Sequence, residues 1–180
     1  VGSIVAALTV YNGKLIAGGY FVDADDVTVN YIAYRGSGGW FLMGGGMGGS
    51  QGQVMTLGHY GSDLIAGGFF TSAGGQNANH IAKWNSNGGW AALGNGTNSQ
   101  VMALTTYNNK LIAGGFFSTA GGVSANHIAQ WDGSGWSSIG AGSTGIVYSL
   151  ASGNGKLYAG SLSSSYQCIM SWEGTAWSNL

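Results

Sequence analysis

The run Leu-Ile-Ala-Gly-Gly-aromatic-Phe stands at Leu15 to Phe21, Leu64 to Phe70 and Leu111 to Phe117, and Leu157-Tyr-Ala-Gly-Ser-Leu is a weaker fourth copy. The leading leucines are 49, 47 and 46 residues apart. A second anchor, Val-x-x-Leu at Val5/Leu8, Val54/Leu57, Val101/Leu104 and Val147/Leu150, steps by the same 49, 47 and 46. A period of this size means one supersecondary unit copied in tandem, each copy burying its apolar faces against its neighbours.

Each copy holds four short apolar runs, too short for a stable helix, rich in aromatic and aliphatic residues and bounded by turn chemistry. In the first copy the expected strands are Val5 to Val10, Lys14 to Phe21, Tyr31 to Arg35 and Trp40 to Met43. Asn12-Gly13, Tyr60 to Ser62, Asn108-Asn109 and Asn154-Gly155 separate the first run from the second. These are residues suited to hairpin turns whose central positions need positive φ. Four antiparallel strands per repeat are the blade of a β-propeller, whose middle strands are covered on both sides. Such a strand reads as a continuous apolar run with small residues where backbones crowd, as Leu-Ile-Ala-Gly-Gly does. The expected fold is therefore all-β: one β-propeller domain over residues 1–180, with four four-stranded blades near 1–50, 51–97, 98–143 and 144–180.

A Gly-Gly doublet closing the second strand, then an aromatic residue followed by Trp (Tyr34/Trp40, Trp84/Trp90, Trp131/Trp136, Trp172/Trp177), resembles the kelch repeat. The stretch from Tyr107 to Gly142 is similar to propeller repeats of secreted bacterial surface proteins and of the fungal cortical-polarity Rax2-like group. The resemblance covers the whole chain and implies a propeller whose members act as scaffolds, adhesins, glycan binders and, rarely, oxidases. Copy 4 departs from the pattern, with Ser161 in place of the second Gly.

Composition narrows the setting. Charged residues are 6 % of the chain, against about 25 % in ordinary globular domains, and Gly fills 36 of 180 positions. A net charge of −1 supplies little repulsion between copies. The five basic residues, Lys14, Arg35, Lys83, Lys110 and Lys156, form no cluster, which argues against nucleic acid. No apolar run approaches the length of a membrane span. A surface of Gly, Ser, Thr and Asn suits extracellular fibres and coats, and a chain opening at Val1 is expected to be processed or an excerpt, so secretion is expected.

Candidate sites are few. Asp23, Asp25 and Asp26 cluster in one loop of the first copy, where the others carry Ser72 to Gly75 and Thr119 to Gly122; an oxygen-rich loop is a calcium candidate, although the spacing of a helical calcium loop is missing. Asn79-His80 and Asn126-His127 recur at one repeat site, with Tyr31 and Cys168 as counterparts of the histidines, and are candidates for ligand binding or packing. Cys168 is the one cysteine and reads as a small buried residue of a third strand. Asn95-Gly96-Thr97 is a glycosylation sequon. No nucleophile elbow or phosphate loop appears, and a kelch-type copper oxidase would need a Cys joined to Tyr plus two His ligands. The chain is accordingly expected to be non-catalytic and without a cofactor. It is expected to associate with itself as a subunit of an extracellular fibre or surface layer, or alternatively to bind glycans multivalently. The series has no spare strand to close a ring; closure by blade 1 on blade 4, a longer propeller and head-to-tail association of chains all remain open.

Overall fold

The computed structural model describes residues 4–49, 51–163 and 167–180, with Gln167 and Cys168 described by their backbone alone. Four antiparallel four-stranded sheets follow one another. Blade 1 comprises Ile4–Tyr11, Lys14–Tyr20, Ile32–Gly36 and Gly39–Leu42. Blade 2 comprises Gln53–Tyr60, Asp63–Phe69, Ile81–Asn85 and Gly89–Ala92. Blade 3 comprises Val101–Tyr107, Lys110–Gly115, Ile128–Trp131 and Trp136–Ser138. Blade 4 comprises Ile146–Gly153, Lys156–Leu162, Gln167–Trp172 and Trp177–Asn179. In each, the strands lie side by side in chain order. The first strands of consecutive blades are neighbours, so they form the inner edge.

Three of the four expected first-hairpin turns carry two successive positive φ values, whereas the blade 2 turn has one, at Gly61 with φ 59°, and Ser62 is not left-handed. Asn12 and Gly13 sit at φ 49° and 72°, Asn108 and Asn109 at 47° and 60°, and Asn154 and Gly155 at 52° and 74°. Two successive positive values match the twist of the flanking strands, and Asn tolerates them as few other residues do. Each first strand also slips register once, just after its valine: Val5/Ala7, Val54/Thr56, Val101/Ala103 and Val147/Ser149. A β-bulge at this repeated place bends and twists the strand where it meets the preceding blade.

Blades are joined by shape. A methyl placed on Gly18 would fall 2.5 Å from Val54 Cγ1; on Gly67, 2.7 Å from Val101 Cγ1; on Gly114, 2.5 Å from Val147 Cγ1. The valine of each blade thus fills the notch left by a glycine of the blade before it, closer than any Cβ would allow. Around this contact the apolar side chains gather into clusters that each draw on two blades: Ile16, Ile32 and Met43 with Val54, Leu64 and Trp90; Ile65, Ile81 and Leu93 with Val101, Leu111 and Trp136; Ile112, Ile128 and Ile139 with Val147 and Leu157. Burying one such side chain contributes roughly 1.5–3 kcal/mol, so the stability of the chain resides at three seams.

The seams also carry indole hydrogen bonds. Trp90 Nε1 donates to the Met43 carbonyl at 2.8 Å, Trp136 Nε1 to Leu93 at 2.9 Å, and Trp177 Nε1 to Ile139 at 3.0 Å. Beside each, a second indole lies over a glycine of the preceding blade: Trp84 on Gly44, Trp131 on Gly94, Trp172 on Gly140. Register sets blade 1 apart from the other copies. Trp40 lies opposite Arg35, not Tyr34, whereas Trp90 lies opposite Trp84. The third-to-fourth-strand turn of blade 1 is one residue shorter, which shifts the count.

Blade 4 does not close on blade 1: no hydrophobic cluster or strand pairing among the described residues joins them. The same repeat site therefore has opposite surroundings along the chain. Ile32, Ile81 and Ile128 are fully buried, whereas Ile169 is 57 % exposed. Substituting Ile128 by Ala should lower unfolding free energy by about 2–5 kcal/mol, and the same change at Ile169 by less than about 0.5 kcal/mol. Urea denaturation of the two variants beside the parent chain measures the difference, and equal losses would contradict the open series.

Candidate functional site

Most of the sequence candidates fall in the loops between the second and third strands of three successive blades, and these loops fold through their backbones. In blade 1 the loop is a small ribbon in which Asp23–Ala24 pairs with Val27–Thr28. Asp25 and Asp26 occupy its turn at φ 48° and 62°, where the later copies have Gly74 and Gly75 or Gly121 and Gly122. Asp, like Gly, enters this left-handed region at modest cost. Asp23 accepts from the Thr28 hydroxyl at 3.1 Å, and Asp25 pairs with Arg35 at 3.2 Å. Among the described residues, no group of three acids, histidines or cysteines converges as a metal site would require.

Asn79 and Asn126 act as clasps. The side-chain amide of Asn79 donates to the Asn95 carbonyl at 3.2 Å, while its own backbone carbonyl accepts from Thr97 N at 3.1 Å. Asn126 repeats the arrangement with Ala141 and Ser143, at 3.0 and 2.8 Å. Asn30 does the same with Gly45 and Met47, at 3.3 and 2.9 Å. These bonds tie the loop leaving each blade to the third strand of that blade. In the sequon, Asn95 is exposed, but Thr97 is buried and its hydroxyl donates to the Ser99 carbonyl at 2.8 Å.

His80 and His127 follow the clasp with φ of 63° and 69°, as does Tyr31 at 71°. Side chains of this size seldom occupy such a conformation, and here it is held by paired backbone bonds. His80 N donates to Phe70 O and Gly68 N to His80 O, both at 2.9 Å; in blade 3, His127 N donates to Phe117 O and Gly115 N to His127 O, at 2.8 and 3.0 Å. The His80 ring stacks on Phe69 with centroids 5.6 Å apart. Both Nδ1 atoms are buried and have no hydrogen-bond partner among the described residues. Burial lowers the His80 pKa below its ordinary 6.5, opposed in part by a backbone hydrogen bond at Gly68. The expectation for Cys168, a buried side chain, concerns atoms outside the described residues; its backbone pairs with Ser161.

Two grooves that the sequence did not single out open at successive seams on the hairpin side. One, of about 530 Å³, lies between blades 2 and 3 and includes Tyr60, Asp63, Lys83, Asn109 and Trp131. The other, of about 360 Å³, lies between blades 1 and 2 and includes Tyr11, Asn12, Lys14, Tyr34 and Trp84. Both combine an indole, a phenol, an amide and an ammonium group. In the first, Lys83 approaches Asp63 at 3.7 Å; in the second, the Lys14 ammonium stands 4.4 Å from the centre of the Tyr34 ring. The signal for them was present in the Tyr that ends the first strand of blades 1 to 3, Tyr11, Tyr60 and Tyr107, which reads from sequence as an ordinary strand residue.

Comparison with known proteins agrees with this architecture. Residues 63–88 and 108–135 match a family model described as a domain of unknown function (DUF5122) beta-propeller, the matches falling in blades 2 and 3. The chain is a β-propeller repeat protein. No curated protein matches it. Among solved structures it is similar to the crystal structure of the computationally designed Ika4 protein, with 15 % identity, a TM-score of 0.61, and coverage of 96 % of this chain and 92 % of that one. It is also similar to the computationally designed Ika8 protein, with 16 % identity and a TM-score of 0.58. There 99 % of this chain covers 48 % of the other, so it spans about half the length of that protein. At such identities the likeness is one of fold.

The depressed pKa of His80 sets a pH dependence. Its folded value lies below its unfolded value, so folding is unaffected while both forms are neutral and weakens as pH falls below about 6.5, where the unfolded chain takes up the proton first. His80→Tyr installs the residue that blade 1 carries at this site. It is expected to flatten the part of the stability curve between pH 7 and 5 that His80 causes, measured by denaturation at several pH values; an unchanged slope would exclude this histidine as its source.

Proposed function

We propose that this chain is a non-catalytic, secreted propeller module that acts as a structural subunit of an extracellular fibre or surface layer through self-association. One observation carries the reading: the two terminal blades present apolar faces made of the residues that form the seams inside the chain, with Val5 57 %, Leu8 61 % and Ile169 57 % exposed. Exposed apolar surface of this kind marks a site of contact. A net charge of −1 over 180 residues opposes association only weakly. The repeated Trp and Asn residues are engaged in holding blades and loops, which supports structure over chemistry as their role. The Gly-, Ser- and Asn-rich surface supports an extracellular setting. Electron microscopy of the purified chain across a range of concentrations should show assemblies that grow with concentration. Particles of single-chain size at every concentration would end this reading.

A second reading, a multivalent carbohydrate-binding propeller, is favoured by the two grooves at successive seams. An indole face and neighbouring amides suit the apolar face and hydroxyls of a sugar, and two equivalent weak sites would reinforce each other. A glycan array is expected to give hits that Trp131→Ala reduces at least tenfold. Binding unaffected by that change, or absent altogether, would dismiss the grooves as sugar sites.

A further inference from the structure

The two open faces carry residues at the repeat positions that build the three internal seams. At the three internal seams the leading blade contributes a glycine notch, an isoleucine and a residue after its fourth strand, and the following blade contributes a valine and an indole donor, joined at the first two seams by Phe70 or Phe117. At the tail of the chain, Gly160, Ile169 and Leu180 stand at the leading positions. At the head, Val5, Phe21 and Trp40 stand at the following ones. Met43, Leu93 and Ile139 are 4 %, 2 % and 4 % exposed where the next blade covers them, but Leu180, their counterpart, is 75 % exposed. The head holds a depression of about 160 Å³ walled by Val5, Ala17, Phe21, Ala33 and Trp40. In blade 2 the corresponding Val54, Ala66, Phe70, Ala82 and Trp90 share a cluster with Met43. The matching cluster of blade 1, with Ala17, Phe21, Val29 and Ala33, contains residues of that blade alone. Among the described residues Trp40 Nε1 has no acceptor, whereas Trp90, Trp136 and Trp177 each reach the carbonyl of the residue that Leu180 repeats.

We infer that a second copy of this chain docks head to tail, its Leu180 entering the depression at Trp40, the main-chain oxygen of its Leu180 accepting from Trp40 Nε1, and its Ile169 packing on Val5, while Ser149 of its own blade lies over its Gly160. The inference rests on the self-association reading and assigns it a surface. The contact continues the series of three seams already present in the chain, and the two faces complement each other and not themselves. A contact of this heterologous kind makes closed rings or open chains depending on its angle. Two charged residues set the head apart from the internal seams, and one of them, Asp23, lines the depression. Arg35 replaces the indole of Trp84, Trp131 and Trp172, its guanidinium 5.9 Å from the Trp40 ring and paired with Asp25. An apolar centre with a charged rim is the anatomy of a contact between separate molecules, and it makes this fourth seam the weaker and more separable one.

Val5→Asp disables the head and Leu180→Asp disables the tail, and because both side chains are exposed in the single chain, both variants fold. Sedimentation velocity is expected to show assemblies of the parent chain, single chains for each variant alone, and pairs when the two variants are mixed, since each then supplies the face the other lacks. Trp40→Phe, which removes only the indole donor, should weaken association of the parent at least tenfold. Assembly that persists in both aspartate variants would overturn this surface while leaving self-association standing. Variants that stay single when mixed would overturn the head-to-tail geometry. A parent chain that is single at every concentration would overturn both the surface and the self-association reading.

Discussion

The fit of a valine into a glycine notch is the contact on which the rest of the molecule depends. Four-stranded sheets of this size have two apolar faces and cannot hide either alone. Because Gly18, Gly67 and Gly114 lack a side chain, Val54, Val101 and Val147 approach to a distance that any Cβ would forbid. That proximity brings the flanking isoleucines, leucines and indoles into contact and lets the indole N–H groups reach the carbonyls of the neighbouring blade. The bulge after each valine serves the same end, since it turns the strand at the place where it must meet the notch.

Much of this was legible in the sequence because repetition exposes constraint. A glycine that recurs with a valine at fixed offset four times is a packing statement, and the doublets Asn12-Gly13 and Asn154-Gly155 declare their turns. What could not be read was register across a gap. The Tyr34/Trp40 spacing equals that of Trp84/Trp90, so counting alone pairs the wrong residue, and only the shorter turn before Trp40 places Arg35 opposite it. Nor did the sequence say which end blades would meet, because Val5 and Ile169 look like their buried counterparts; burial depends on what stands next to a blade, which lies outside its own letters.

The candidate residues divide along the same line. Asp25 and Asp26 attract notice as acids, but their backbone angles show that the positions require left-handed residues, which elsewhere in the chain are glycines. Asn79 and Asn126 attract notice as repeated amides, and they hold loops. His80 and His127 differ, since their buried Nδ1 atoms are unsatisfied among the described residues. The stack on Phe69 and the lowered pKa favour a neutral His80 ring, which is how this blade accommodates a titratable side chain in a repeat built from few charges.

At Gly88 and Gly135, in the turns before the fourth strands of blades 2 and 3, an added side chain would meet no atom within 4 Å. Load in this molecule passes through the seams, so these tips are mechanically idle, and foreign peptides grafted there would be carried outward at a regular pitch, one to each middle blade, without disturbing the packing beneath. A chain of this design is a ruler with blank markings.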